Sequence, residues 1–123
     1  MNTLIIYDST GVPLDNLFQW DVSQKITAKA PLVYGSNSTP LLHFSNRKCG
    51  VAYVAETTVG STESDGKVAL EAVIPACLLE VAHPSDVYLY EKDEVSDAYR
   101  TTAKTKFIVI PRAKPEDYDD ITE

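Results

Sequence analysis

The sequence has little of what usually announces chemistry. Cys49 and Cys77 are its two cysteines in 123 residues. They lack CxxC spacing and histidine-rich neighbours, so neither a zinc site nor a disulfide scaffold is indicated, and two reduced thiols not bonded to each other are expected. Basic residues number 11 against 18 acidic ones, a net charge of −7. With no positive surplus to neutralise phosphates or anionic lipid, neither nucleic acid nor a membrane is an expected partner. No apolar run approaches membrane-spanning length. The opening residues, Met1 to Asp8, hold only three consecutive aliphatic side chains and no basic region, so no secretory signal is read there and synthesis in a cytoplasm is expected.

The familiar catalytic patterns GxSxG, P-loop, GxGxxG and HExxH are absent. The charged stretch 91–97 does not follow the register of a calcium loop and reads as a solvated hairpin loop. His43 has no second His, Cys or carboxylate at ligand spacing and reads as a strand residue. No catalytic residue, cofactor or metal ligand is nominated, and a non-enzymatic protein is expected. Internal repeats, low-complexity tracts and long helical patterns are also lacking.

What is present points to strands. The length suits one domain that can bury roughly two-thirds of its unfolded surface. Seven Tyr and one Trp, with many Val, Ile and Thr, favour a pleated, half-buried environment. Residues 4–7 form a short apolar run closed by turn formers at 8–13. Extended segments are read at 14–21 and 22–28, followed by a strand at 41–45. The two clearest strands are 51–59 and 67–74, joined through the hairpin signal Asp65-Gly66. In the second, Val68, Leu70, Ala72 and Ile74 share one face by the period of two. Pro75 cannot donate to a ladder and suits a first helical turn, so a short helix is expected over 76–82, with Pro84 forcing an exit. Residues 87–90 read as a central strand, 98–106 as a weakly alternating one, and 107–110 as a final buried strand.

These elements predict an all-β domain, an antiparallel β-sandwich of about eight strands with one short helix, over residues 1–111. Val68, Leu70, Ile74, Leu78, Val87, Leu89, Phe107 and Val109 are the expected core. Residues 112–123 read as an acidic extended tail or linker that leaves the body. Trp20 reads as a core or core-edge anchor. Its alternative is a ligand-stacking platform, which needs aromatic company on an exposed face.

Several stretches together resemble a known family. These are Val73-Ile74-Pro75-Ala76-Cys77-Leu78-Leu79, Val87-Tyr88-Leu89-Tyr90, Thr101-Thr102, and the run from Val109 to Tyr118 containing Lys114-Pro115-Glu116-Asp117-Tyr118. Ile6-Tyr7-Asp8, Trp20-Asp21 and Leu42-His43-Phe44 add to the likeness. The family is the N-terminal domain of baseplate and tail-fibre type structural proteins of phages and prophages of Gram-positive bacteria, like that of the baseplate upper protein. The resemblance implies a virion structural domain that mediates assembly or attachment, within a homo-oligomer and beside other tail or baseplate proteins. It also implies that Tyr118 and Ile121 of the tail dock on a neighbouring subunit or partner. A carbohydrate-binding β-sandwich is the alternative, with a host cell-surface saccharide as ligand.

Overall fold

Short strands with one apolar face are stable only when that face is covered by another layer. Among the described residues, ten strands form two sheets. The computed structural model describes residues 2–46 and 53–118. The strands are β1 (Asn2–Thr3), β2 (Ile5–Tyr7), β3 (Asn16–Phe18), β4 (Lys25–Ala30), β5 (Ser38–Asn46), β6 (Tyr53–Ala55), β7 (Thr58–Thr62), β8 (Val68–Val73), β9 (Ser85–Asp93) and β10 (Tyr99–Ile110). The larger sheet has the order β1-β10-β9-β5-β6, with β3 also on β10, and the smaller has the order β2-β4-β8-β7. The protein is therefore all-β, with more strands than expected. It is also not wholly antiparallel, because β1 and β3 both run parallel to β10.

The inner faces of both sheets contribute to one core cluster, which includes Ile26 and Leu70 from the smaller sheet and Phe44, Leu89 and Phe107 from the larger. All eight residues named as core from the sequence are buried. The alternation in β8 is the reason there, since Val68, Leu70 and Ala72 are buried while the residues between them are not. At the hairpin before it, Gly66 adopts φ +85, a left-handed conformation that glycine takes without a Cβ clash.

Pro75 ends the run after β8 as expected. The next element is a 3-10 helix, Ala76–Glu80, with Leu78 and Leu79 buried, rather than a longer turn reaching residue 82. Another 3-10 turn occupies Gly35–Asn37.

Three expected strands take different forms. The stretch expected as one strand over 51–59 is split among its described residues. β6 belongs to the larger sheet and β7 to the smaller, so the chain crosses from one sheet to the other at Glu56 and Thr57. Thr57 fixes the crossing, its hydroxyl donating to the Ala55 carbonyl at 2.9 Å and accepting from the Leu42 N–H at 3.0 Å. Conversely, the separate strands expected over 98–106 and 107–110 are one. β10 runs for twelve residues with a bulge between Thr101 and Ala103. The bulge buries both Thr102 and Ala103 and so breaks the period-two signal.

Candidate functional site

The described part of the C-terminal segment, residues 112–118, does not leave the body as an extended linker. After β10 the chain turns back, and Tyr118 is buried with only 3% exposure. Its ring meets Trp20 edge-on, with centroids 5.1 Å apart and planes at 73°. The Tyr118 hydroxyl donates to Glu80 Oε2 at 2.7 Å. Lys114 places its ammonium 5.3 Å from the Trp20 ring and 5.5 Å from the Tyr118 ring, within range of cation–π attraction to both. Trp20 Nε1 donates to the Arg112 carbonyl at 3.1 Å. Residues 111–118 thus form a strap held by side chains far apart in sequence.

The Trp20 backbone is part of this device. It sits at φ +74, a conformation that is a genuine outlier for a bulky residue. The Trp20 N–H donates to the Leu79 carbonyl at 2.7 Å, next to the Gln19 N–H bond to the Ile110 carbonyl, also 2.7 Å. The Asp21 carboxylate accepts from the Phe18 N–H at 3.0 Å. Trp20 therefore behaves as a core-edge anchor whose ring is engaged by its own chain. The ligand-stacking reading of Trp20 loses its open platform. The docking of Tyr118 on a neighbour is corrected to docking within the chain, because the ring is already covered. Ile121 lies outside the described residues.

A second set of aromatic rings lies on the larger sheet. His43 and Tyr90 have centroids 4.7 Å apart at 33°, and Tyr90 stacks on Tyr99 at 5.5 Å and 20°. Lys92 lies 5.8 Å from the Tyr99 ring, and Lys104 lies 5.5 Å from Tyr88. These rings pair with each other and with lysines across the strands, which stabilises the outer face of a sheet. Glu94 beside Lys92 is the main cause of that lysine's raised pKa, with Tyr99 and Asp97 adding to it. Burial lowers the His43 pKa below its ordinary 6.5.

The loop expected to be a solvated acidic hairpin hides a buried member. Glu91 has no exposed surface. Its Oε1 accepts from Ser38 Oγ at 2.8 Å and from the Tyr34 N–H at 3.4 Å. Its Oε2 accepts from the Val33 N–H at 3.2 Å and from the Thr102 hydroxyl. One carboxyl group thereby ties the segment 33–38 to β9 and β10. Its phase with Val87 and Leu89 along β9 was the available sequence signal.

Among the described residues, no group of three or more His, Cys, Asp or Glu is placed to hold a metal ion. Cys77 is a half-buried free thiol, and Cys49 lies outside the described residues. No helix among the described residues is long and apolar enough to cross a membrane. A cleft of about 410 Å³ opens beside β7, between the β7–β8 hairpin and the segment from Leu32 to Pro40. Neither a family model nor a curated protein matches the chain.

Proposed function

We propose that this chain is a non-enzymatic structural domain of a phage or prophage tail or baseplate, built as a β-sandwich and serving assembly or attachment in the virion. One observation carries the reading. Several of the residues through which the sequence resembles such proteins lie in the core of this fold. Ile74, Leu78 and Leu79 are buried at the corner after β8, and Val87 and Leu89 are buried in β9. β9 lies between β10 and β5. Trp20 and Tyr118, which lie far apart along the resemblance, touch each other. A likeness made of such framework positions supports a shared architecture rather than a chance run of similar residues. The meeting of two inner faces in one core cluster supports the sandwich.

Saccharide binding has less support, since Trp20 is engaged by Tyr118, Lys114 and Arg112 and Tyr90 and Tyr99 of the larger sheet stack on each other. The test is mass spectrometry of purified particles from the strain that carries the gene. The chain should be recovered in stoichiometric amount with the tail proteins. Its recovery only in the soluble cell fraction, with complete tails formed after deletion of the gene, would refute the proposal.

A further inference from the structure

Two N–H groups and two hydroxyls from separate elements converge on one buried point. The Val33 and Tyr34 N–H groups come from the turn before the 3-10 segment Gly35–Asn37. One hydroxyl belongs to Ser38 at the start of β5 and the other to Thr102 in β10. The Glu91 carboxyl fills that point. Its Oε1 accepts from Ser38 Oγ at 2.8 Å and from the Tyr34 N–H at 3.4 Å, and its Oε2 from the Val33 N–H at 3.2 Å and from the Thr102 hydroxyl. Each oxygen thus meets two donors.

An irregularity of β10 completes the arrangement. Regular pairing would put Thr102 opposite Leu89, but the bulge gives that place to Ala103 and leaves Thr102 as the extra residue, buried and directed at Oε2. Bulges re-aim side chains in this way. No cation takes part. Among the described residues no salt bridge reaches Glu91, and Arg100, its neighbour across the β9–β10 ladder, is exposed. Four neutral donors, two to each oxygen, suit a flat group with two oxygens. A spherical halide cannot meet all four, and the further oxygens of sulfate or phosphate would be buried without partners.

We propose that this cradle is a carboxylate-binding site that the chain fills with its own side chain, and that it takes a free carboxylate when that side chain is shortened. Glu91→Ala leaves Cβ in place and removes a methylene and a carboxylate, the equivalent of acetate. Glu91→Gly removes the equivalent of propionate. The vacated space is polar, so water is the competing occupant. The inference goes beyond the virion role and does not depend on it.

The test is thermal melting of the full chain, followed by circular dichroism, in sodium acetate, sodium propionate and sodium chloride at equal ionic strength and neutral pH. Salts also act on any protein surface, so the wild type and Glu91→Gln, whose side chains occupy the cradle, supply the general effect to be subtracted. In Glu91→Ala, acetate should raise the melting temperature beyond that effect and saturably, the folded-to-unfolded ratio rising about elevenfold at ten times its Kd. Propionate and the neutral isostere acetamide should do less. In Glu91→Gly, propionate should act more strongly than acetate. If a variant does not fold in chloride, trimethylamine N-oxide, which favours the compact state, is added to every series. A response to acetate no larger than that of the wild type, or the same order of acetate and propionate in both variants, would overturn the proposal.

Discussion

Undoing the strap offers the sharpest check on this structure. Tyr118→Ala removes a ring that is 97% covered, the complement of its 3% exposure. It also removes the hydroxyl that reaches Glu80 and one of the two rings flanking Lys114. A buried aromatic side chain removes roughly 150–250 Å² from water, worth several kcal/mol at about 25 cal/mol per Å². The loss is limited, because the strap can detach and regain its conformational freedom. A net cost of about 3 kcal/mol is expected, which lowers the melting temperature of a domain of this size by roughly 10–15 °C. Tyr118→Phe keeps the ring and loses one hydrogen bond to a half-buried carboxylate, at a cost of about 1 kcal/mol. A chain cut after Arg112 should resemble Tyr118→Ala. Trp20 is the single tryptophan, so its fluorescence reports on the strap separately from global melting. Emission should shift to the red and become more accessible to acrylamide in Tyr118→Ala and in the cut chain, and stay near wild type in Tyr118→Phe. If the cut chain keeps both the melting temperature and the emission of the full one, the strap is not docked in solution and the reasoning fails.

Glu91→Leu strands the Val33 and Tyr34 N–H groups and the Ser38 and Thr102 hydroxyls, and should cost about 3 kcal/mol or more in denaturant titration. Glu91→Gln should cost only about 1–2 kcal/mol, because an amide nitrogen at the Oε1 position can donate to Ser38 and loses only the long Tyr34 contact; equal costs for the two variants would argue against the network. Ile74→Ala should cost roughly 2–5 kcal/mol, and an unchanged denaturation midpoint would place that side chain outside the core. Burial lowers the His43 pKa, so the unfolded chain takes up this proton first as pH falls. Stability should therefore decline as pH drops below about 6.5 toward the folded value, with no contribution from this group above that. His43→Gln should flatten that part of the pH–stability curve, and an unaltered slope would count against a buried neutral imidazole.

The sequence declared its strands wherever alternation was regular and uninterrupted. β8 follows the period of two, so Val68 and Leu70 could be assigned to the core from alternation, while Val87 and Leu89 could be assigned because the stretch 87–90 is apolar on both faces and so reads as a central strand. Pro75 and Asp65-Gly66 marked a corner and a hairpin through backbone chemistry that acts locally. What stayed hidden depends on contacts between distant residues. Nothing near Glu56 or Thr57 signals a change of sheet, because the partners that decide it lie in β5 and β8. The bulge at Thr102 shifted the phase of β10 and made one long strand look like two. The proline-rich, acidic end of the chain read as a linker because each residue alone favours an exposed segment. The Trp20 ring and the Glu80 carboxylate, both distant in sequence, are what Tyr118 and Lys114 pack and bond against.

The position of β10 sets the order in which this protein can be completed. β10 pairs with β9 on one side and with β1 and β3 on the other, so two segments from the first eighteen residues find their ladder partner only in residues 99–110. During synthesis those early strands wait for almost the whole domain to emerge, while the smaller sheet can already pair β2, β4 and β8. Such long-range closure is slow compared with local pairing. The edges of β1 and β3 stay open in the meantime, and the nascent chain is most vulnerable to misassociation in the interval before β10 arrives.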